Sequence, residues 1–181
     1  SVDMANAIDL AETDAAGGKL VLMLKGNKTV KITLPVLGSY SKTAPFSCPK
    51  TDKIITMTAE RLMEGKGDRF AIEELALMAT GETKYMNAAF TSIRSKPWAI
   101  GNGELVNPTL YCTWHWGYHA IVLAEYYMLT QDESVMPALR SLALSIAKGQ
   151  DTRGVYGHRV ADPNNFNRIP GYGPMNQTTL S

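Results

Sequence analysis

The chain has 181 residues, of which 45% are hydrophobic and 19% charged, and its formal net charge is +1. This composition is typical of a globular protein and excludes a disordered one. Lys and Arg are spread without a basic run, so no nucleic-acid partner is predicted. No apolar run reaches the length of a membrane span, and Cys48 and Cys112 are too few for a disulfide scaffold.

The chain opens with the pattern of a short helix followed by a β-hairpin. Residues 2–12 carry a helical apolar stripe. The apolar segment 20–24 predicts a strand buried on both faces, and the alternation over 30–34 predicts a half-exposed partner strand. Gly26-Asn27 predicts a two-residue turn between them.

This order of elements, over residues 1–35, resembles the close of a PDZ-like domain: last helix, Gly-rich turn, then hairpin. The resemblance implies a domain that binds proteins or peptides. The carboxylate-binding loop and the peptide-pairing strand of that family would lie upstream. We therefore expect the chain to be a fragment truncated at both ends, with a peptide partner only for the complete PDZ-like domain.

After the hairpin, residues 36–50 read as a linker, because proline, glycine and small hydroxyl residues disfavour helix. From Thr51 the apolar period becomes helical. Helices are predicted near 51–64, 69–79, 83–95, 108–129 and 133–148. Asn107-Pro108 predicts the start of the fourth of these, with Asn as N-cap and Pro in the first position. The predicted fold class is mainly α.

The helical region contains an internal repeat. The turn at 80–82 (Thr-Gly-Glu) recurs about 50 residues later at 130–132 (Thr-Gln-Asp), each between two helices. Paired helices repeated at such a period predict a stacked or closed helical array.

The segment Gln150–Gly157 follows the last predicted helix. It resembles the Gln-x-x-x-Gly-x-Trp turn of terpenoid-cyclase-like α/α-toroids, with Tyr156 in the Trp position. In that family the Gln caps a helix end and the aromatic ring stacks on the next hairpin, so the motif supplies no catalytic residue. The resemblance implies that residues 51–181 are the first helical hairpins of an α/α-toroid.

The helix around residue 115 holds the richest chemistry. His115 and His119 lie one turn apart on one face, with Cys112 at its edge. Three interpretations stand side by side: a zinc site with a third ligand from Cys112, His158 or a part of the protein beyond this chain, a polar cavity wall with acid–base histidines, or packing between helices. We assign no metal and no cofactor.

The same helix is rich in aromatic residues, and Tyr111, Trp114 and Trp116 offer flat faces suited to a sugar ring. An ordinary helix–helix core explains such rings equally. Because residues 108–129 are apolar all round, we predict an inner helix buried on all sides. At least one of the two histidines should then face the central cavity.

The long loop over residues 157–168 supplies His158 and Arg159 as ligand-binding candidates and Asp162 as a catalytic candidate beside His115 and His119. Its alternative interpretation is a series of simple turns. Glu104 is a second carboxylate candidate for ligand contact.

Together, the segments 34–41, 48–50 and 114–118 resemble an uncharacterised bacterial family that places a PDZ-like domain before a six-hairpin α/α-barrel. The family has no established activity to transfer. Our first hypothesis is an enzyme acting on a carbohydrate or polyanionic polysaccharide, with a cell-envelope or secreted location favoured. The alternative is a non-catalytic binding or scaffold protein. Isoprenoid chemistry ranks last because no Asp-rich run is present.

Overall fold

The computed structural model describes residues 2–65, 71–101, 105–106, 108, 110–171 and 173. The described part is mainly helical, as predicted, and divides into an N-terminal unit, Ser1–Arg61, and a C-terminal unit, Leu62–Ser181. Its helices are α1 (Val2–Ala11), α2 (Pro49–Met63), α3 (Ile72–Ala79), α4 (Thr83–Ser95), α5 (Cys112–Thr130) and α6 (Met136–Lys148). Its strands are β1 (Lys19–Leu24) and β2 (Lys28–Thr33). None of the helices described is long and apolar enough to cross a membrane.

The β-hairpin of the N-terminal unit lies where the sequence placed it, but its turn is longer than predicted. The strands are antiparallel, and Leu24 pairs with Lys28. The turn therefore contains Lys25 as well as Gly26 and Asn27, which have φ angles of 84° and 59°. Both angles are left-handed, a conformation that Gly and Asn accept more easily than other residues.

The expectation that the first strand is buried on both faces is wrong. Only Leu20 of β1 is buried, while Val21 and Met23 are 60% and 77% exposed. The reason is that α1 packs against β1, and no second described layer covers the face of Val21 and Met23. The hairpin therefore leaves an apolar surface uncovered in the described part of this unit.

The first turn of α2 is joined to α1 by buried charges. Lys50 is 1% exposed, and its Nζ pairs with Asp9 and lies 2.8 Å from Oε2 of Glu12. The ammonium also lies 4.5 Å from the ring centroid of Tyr40. Because a buried ammonium needs compensating partners, this cluster fixes α2 against α1.

Helix α2 starts two residues before the predicted position. Pro49 is the first helical residue, and the carbonyl of Cys48 accepts a hydrogen bond from Asp52 N at 3.0 Å. Pro49 therefore starts the helix and does not end the linker, in keeping with the preference of proline for the first helical position.

Two helix pairs with matching turns build the C-terminal unit, α3 with α4 and α5 with α6. In the first turn Glu82 N donates to Thr80 Oγ1 at 3.2 Å, and in the second Asp132 N donates to Thr130 Oγ1 at 3.2 Å. The middle residue is left-handed in both turns, at Gly81 and at Gln131. The repeat in the sequence is thus a repeat in geometry.

The predicted start of α5 at Pro108 is wrong, and the helix begins at Cys112. Tyr111 has a φ of 65°, and its N–H donates to the carbonyl of His158 at 2.7 Å. This contact takes the chain out of helical geometry before Cys112, so Pro108 lies in the preceding loop. Asn107 lies outside the described residues.

The expected burial of α5 on all sides is only half observed. Trp116, Val122, Leu123 and Tyr126 are buried, whereas Ile121, Met128 and Leu129 are exposed. Burial follows the side that packs against α3, α4 and α6, and the opposite side has no described neighbour. An apolar stripe of α5 is therefore uncovered.

Candidate functional site

Helix α5 directs two histidines into one pocket. His115 and His119 are one turn apart, with ring centroids 5.7 Å from each other. Trp98, from the segment after α4, meets His119 edge-on at 5.2 Å. The three rings line a cavity of about 300 Å³, here called the histidine pocket. Its other lining residues are Pro97, Ala99, Val106, Cys112, Trp116 and Leu142.

Of the two tryptophans predicted to bind ligand, Trp116 lines the histidine pocket and Trp114 does not. Trp116 is buried, and its Nε1 donates to the carbonyl of Val106 at 2.6 Å. Val106 N in turn donates to Ser145 Oγ at 3.0 Å, so Trp116 holds the floor of the histidine pocket. Trp114 stacks on Tyr118 at 6.2 Å and does not line this pocket.

The thiol of Cys112 also lines the histidine pocket. Burial raises the pKa of this thiol, which keeps it neutral at physiological pH. Within the described ranges, no group of three or more His, Cys, Asp or Glu side chains is arranged to hold a metal ion. The described geometry therefore does not supply the third ligand that the zinc interpretation needed.

A second cavity lies beside the first turn of α5. It measures about 380 Å³ and is lined by Tyr111, His158 and Arg159, together with Leu110, Pro170, Gly171 and Gly173. We call it the arginine pocket. The rings of Tyr111 and His158 are 4.8 Å apart and tilted by 58°. Tyr111 lines this pocket and the next residue, Cys112, lines the histidine pocket, so both pockets reach the start of α5.

The segment that carries His158 and Arg159 is fixed to α5. Thr113 Oγ1 donates to the carbonyl of Gly157 at 2.6 Å, next to the bond between Tyr111 N and the His158 carbonyl. A Cβ on Gly157 would lie 2.7 Å from the carbonyl oxygen of Gly173. Only glycine permits this approach to Gly173, which lines the arginine pocket.

Asp162 does not line either pocket. The Oδ1 of Asp162 accepts a hydrogen bond from Asn164 N at 2.9 Å, and Asp162 N donates to the carbonyl of Arg168. Asp162 thus caps a short turn and lines neither pocket. Glu104 lies outside the described residues.

Hydrogen bonds of Tyr156 and Asp151 hold the turn after α6 in place. The hydroxyl of Tyr156 donates to the carbonyl of Ile146 at 2.7 Å. The buried carboxylate of Asp151 accepts from Arg153 N at 2.8 Å and from the Arg153 guanidinium at 2.7 Å. Burial opposes ionisation of this carboxyl, but the hydrogen bonds from Arg153 and Val155 outweigh it and lower the pKa of Asp151.

Two residues near the histidine pocket were missed by the sequence reasoning. Trp98 gave only a weak signal, a single aromatic residue in a loop with Pro and Gly. Glu74 looked like an ordinary acidic residue of a first helical turn, yet it is 3% exposed. Its Oε1 accepts from Ser92 at 2.6 Å and lies 2.5 Å from Nζ of Lys96, which lies over the Trp98 ring.

The fold and the two pockets define a mainly helical protein built from helix pairs, with a small β-hairpin unit before them. Residues 51–181 match the family described as a domain of unknown function, DUF6288. Because this match spans most of the chain, the protein belongs to that family. Comparison with curated proteins and with solved structures gave no match.

Proposed function

We propose that the C-terminal unit is a carbohydrate-acting enzyme whose reaction takes place in the histidine pocket. The observation that carries the proposal is the convergence of His115, His119 and Trp98 on one cavity. A flat ring suits a sugar face, and two imidazoles one turn apart suit proton transfer to and from hydroxyl or glycosidic oxygens. Asp162 lies in its own turn, so the proposal assigns acid–base roles to the histidines alone.

The surrounding architecture is proposed to be an α/α-toroid. The two helix pairs share one turn geometry, as expected for units of a repeating array. The uncovered stripe of α5, with Ile121, Met128 and Leu129 exposed, suits packing against further helices of such an array. In a toroid the pocket would open towards the central cavity.

The binding or scaffold alternative is supported by the N-terminal unit. Its helix and hairpin have the order found at the close of a PDZ-like domain, and Val21 and Met23 expose apolar side chains on one face. Exposed apolar surface of this kind marks a site of contact with a partner or with another part of the protein. We propose this unit as PDZ-like, with a binding or scaffold role of the complete PDZ-like domain as the second candidate function.

The acid–base proposal predicts the behaviour of two variants. His115→Ala and His119→Ala should each lower turnover of the cognate glycan by about 100-fold, the typical contribution of a positioned acid or base. Their unfolding free energies should change little, because both side chains are half-buried at a cavity wall. The measurement is release of reducing ends from a panel of defined neutral and acidic polysaccharides.

Ser134→Ala, an exposed change between α5 and α6, serves as the control and should retain full turnover. If wild-type protein releases no product from any polysaccharide, or if both histidine variants turn over at the wild-type rate, the histidine pocket is not a carbohydrate active site.

A further inference from the structure

We infer that the arginine pocket binds the acidic group of an anionic pyranose, so that the preferred carbohydrate is an acidic one. The inference rests on the proposed function, since it places one charged sugar beside the histidine pocket. It is carried by the polar groups that line this cavity, Tyr111, His158 and Arg159.

The described residues that line the arginine pocket contribute positive charge and no negative charge. The side chain of Arg159 is exposed, and no carboxylate lies within ion-pair distance of its guanidinium in the described part of the chain. Among the residues that the structure describes, no acidic side chain lines the cavity, and none occurs in the first turn of α5 beside it. The partial positive charge of that helix end adds to the same field.

The shape of the pocket suits one ring. Its volume of about 380 Å³ is near the lower end of the range for small-molecule sites. Tyr111 is 40% exposed, and the ring of His158 lies 4.8 Å from it, tilted by 58°. An aromatic face beside a guanidinium matches a pyranose that carries a carboxylate or a sulfate, since the guanidinium binds such oxoanions in bidentate fashion.

The parts of the pocket are held in place without a ligand. Tyr111 N donates to the carbonyl of His158, and Thr113 Oγ1 donates to the carbonyl of Gly157. These two hydrogen bonds fix the loop segment that carries Arg159. Tyr111 is held in a left-handed conformation by the first of these bonds. Pre-organisation of this kind lowers the entropy cost of binding.

The two pockets then divide the recognition of a chain of sugars. The arginine pocket takes the charged ring, and the histidine pocket next to it takes the neighbouring ring, where bond cleavage is proposed. Selectivity for acidic glycans would come from Arg159, and turnover from the histidines.

The test compares glucuronate, glucose 6-sulfate and glucose by calorimetric titration of the full chain. The wild-type protein should bind at least one of the two anionic sugars about 10-fold or more tightly than glucose. Arg159→Gln should lower the affinity for the anionic sugar to about that for glucose, and Arg159→Lys should restore part of the preference. Arg140→Gln, an exposed change on α6, should have no effect. Comparison of the two anions shows whether carboxylate or sulfate is preferred.

The outcomes separate the two proposals. Equal affinity for charged and neutral sugars, or a preference that survives Arg159→Gln, overturns the arginine pocket and leaves the histidine pocket standing. A preference that depends on Arg159, in a protein whose histidine variants turn over glycans normally, supports the arginine pocket and removes the acid–base proposal. Absence of binding to all three sugars overturns the inference.

Discussion

Replacing Trp116 with alanine is expected to lower the free energy of unfolding of the C-terminal unit by a large amount. Trp116 is 2% exposed, and truncation of such a ring costs about 3–5 kcal/mol. It also removes the donor to the carbonyl of Val106, and an unpaired buried carbonyl costs about 1–3 kcal/mol more. The total loss should be about 4–8 kcal/mol in the free energy of unfolding.

The matched control is Trp114→Ala, two residues along the same helix. Trp114 is half-buried and stacked on Tyr118, so its loss should cost about 1–2 kcal/mol. Urea unfolding followed by tryptophan fluorescence reports this unit alone, because Trp98, Trp114 and Trp116 are the three tryptophans of the chain. Equal losses in the two variants would show that Trp116 does not anchor the pocket floor.

Replacing Lys50 with methionine should destabilise the N-terminal unit by about 2–3 kcal/mol. The change leaves the largely buried carboxylate of Glu12 without its counter-ion. Loss of one partner from a buried pair costs about 3–5 kcal/mol, and the lower value here reflects Asp9, whose side chain is 46% exposed and stays partly hydrated. The measurement is hydrogen exchange, in which the α1 and α2 amides should exchange faster than in the wild type, with Lys53→Met on the same helix as control.

The Lys50 cluster also predicts that the free energy of unfolding of the N-terminal unit depends on pH. Burial by itself lowers the pKa of Lys50, but the hydrogen bonds and charges of Asp9 and Glu12 outweigh it and raise the pKa above its ordinary value. The stabilisation is therefore complete below the pKa of the unfolded lysine and is lost as the pH rises through the folded value. Lys50→Met should lack this alkaline loss. An identical alkaline profile in both proteins would contradict the ion cluster.

Local patterns were sufficient to predict most helices and the hairpin, because periodicity and turn residues act over a few positions. The Thr-x-acid turns were readable for this reason, since the hydroxyl of Thr80 or Thr130 bonds within its own turn. The start of α5 was misplaced because a contact with the distant His158 carbonyl determines it. Propensity favours Pro108 as a first helical residue, and tertiary structure overrides it.

For the candidate site too, local sequence spacing predicts some features, and others depend on the tertiary fold. The spacing of four residues placed His115 and His119 on one face, which depends only on helical geometry. That Trp98 completes their pocket depends on how the segment after α4 returns to α5, and no local pattern encodes that path. Likewise, Tyr111 and Arg159 were both singled out, but their common pocket required the fold.

The NMR signals of the imidazole rings test carbohydrate binding most directly, because the three histidines of the chain are divided between the two pockets. In proton–carbon correlation spectra, a neutral oligosaccharide at millimolar concentration should shift the signals of His115 and His119 with saturation. An oligosaccharide with a uronate at one ring should shift His158 as well, and Arg159→Gln should remove that third shift alone. If neither sugar moves the His115 and His119 signals while the spectrum of the folded protein stays intact, the histidine pocket does not bind carbohydrate.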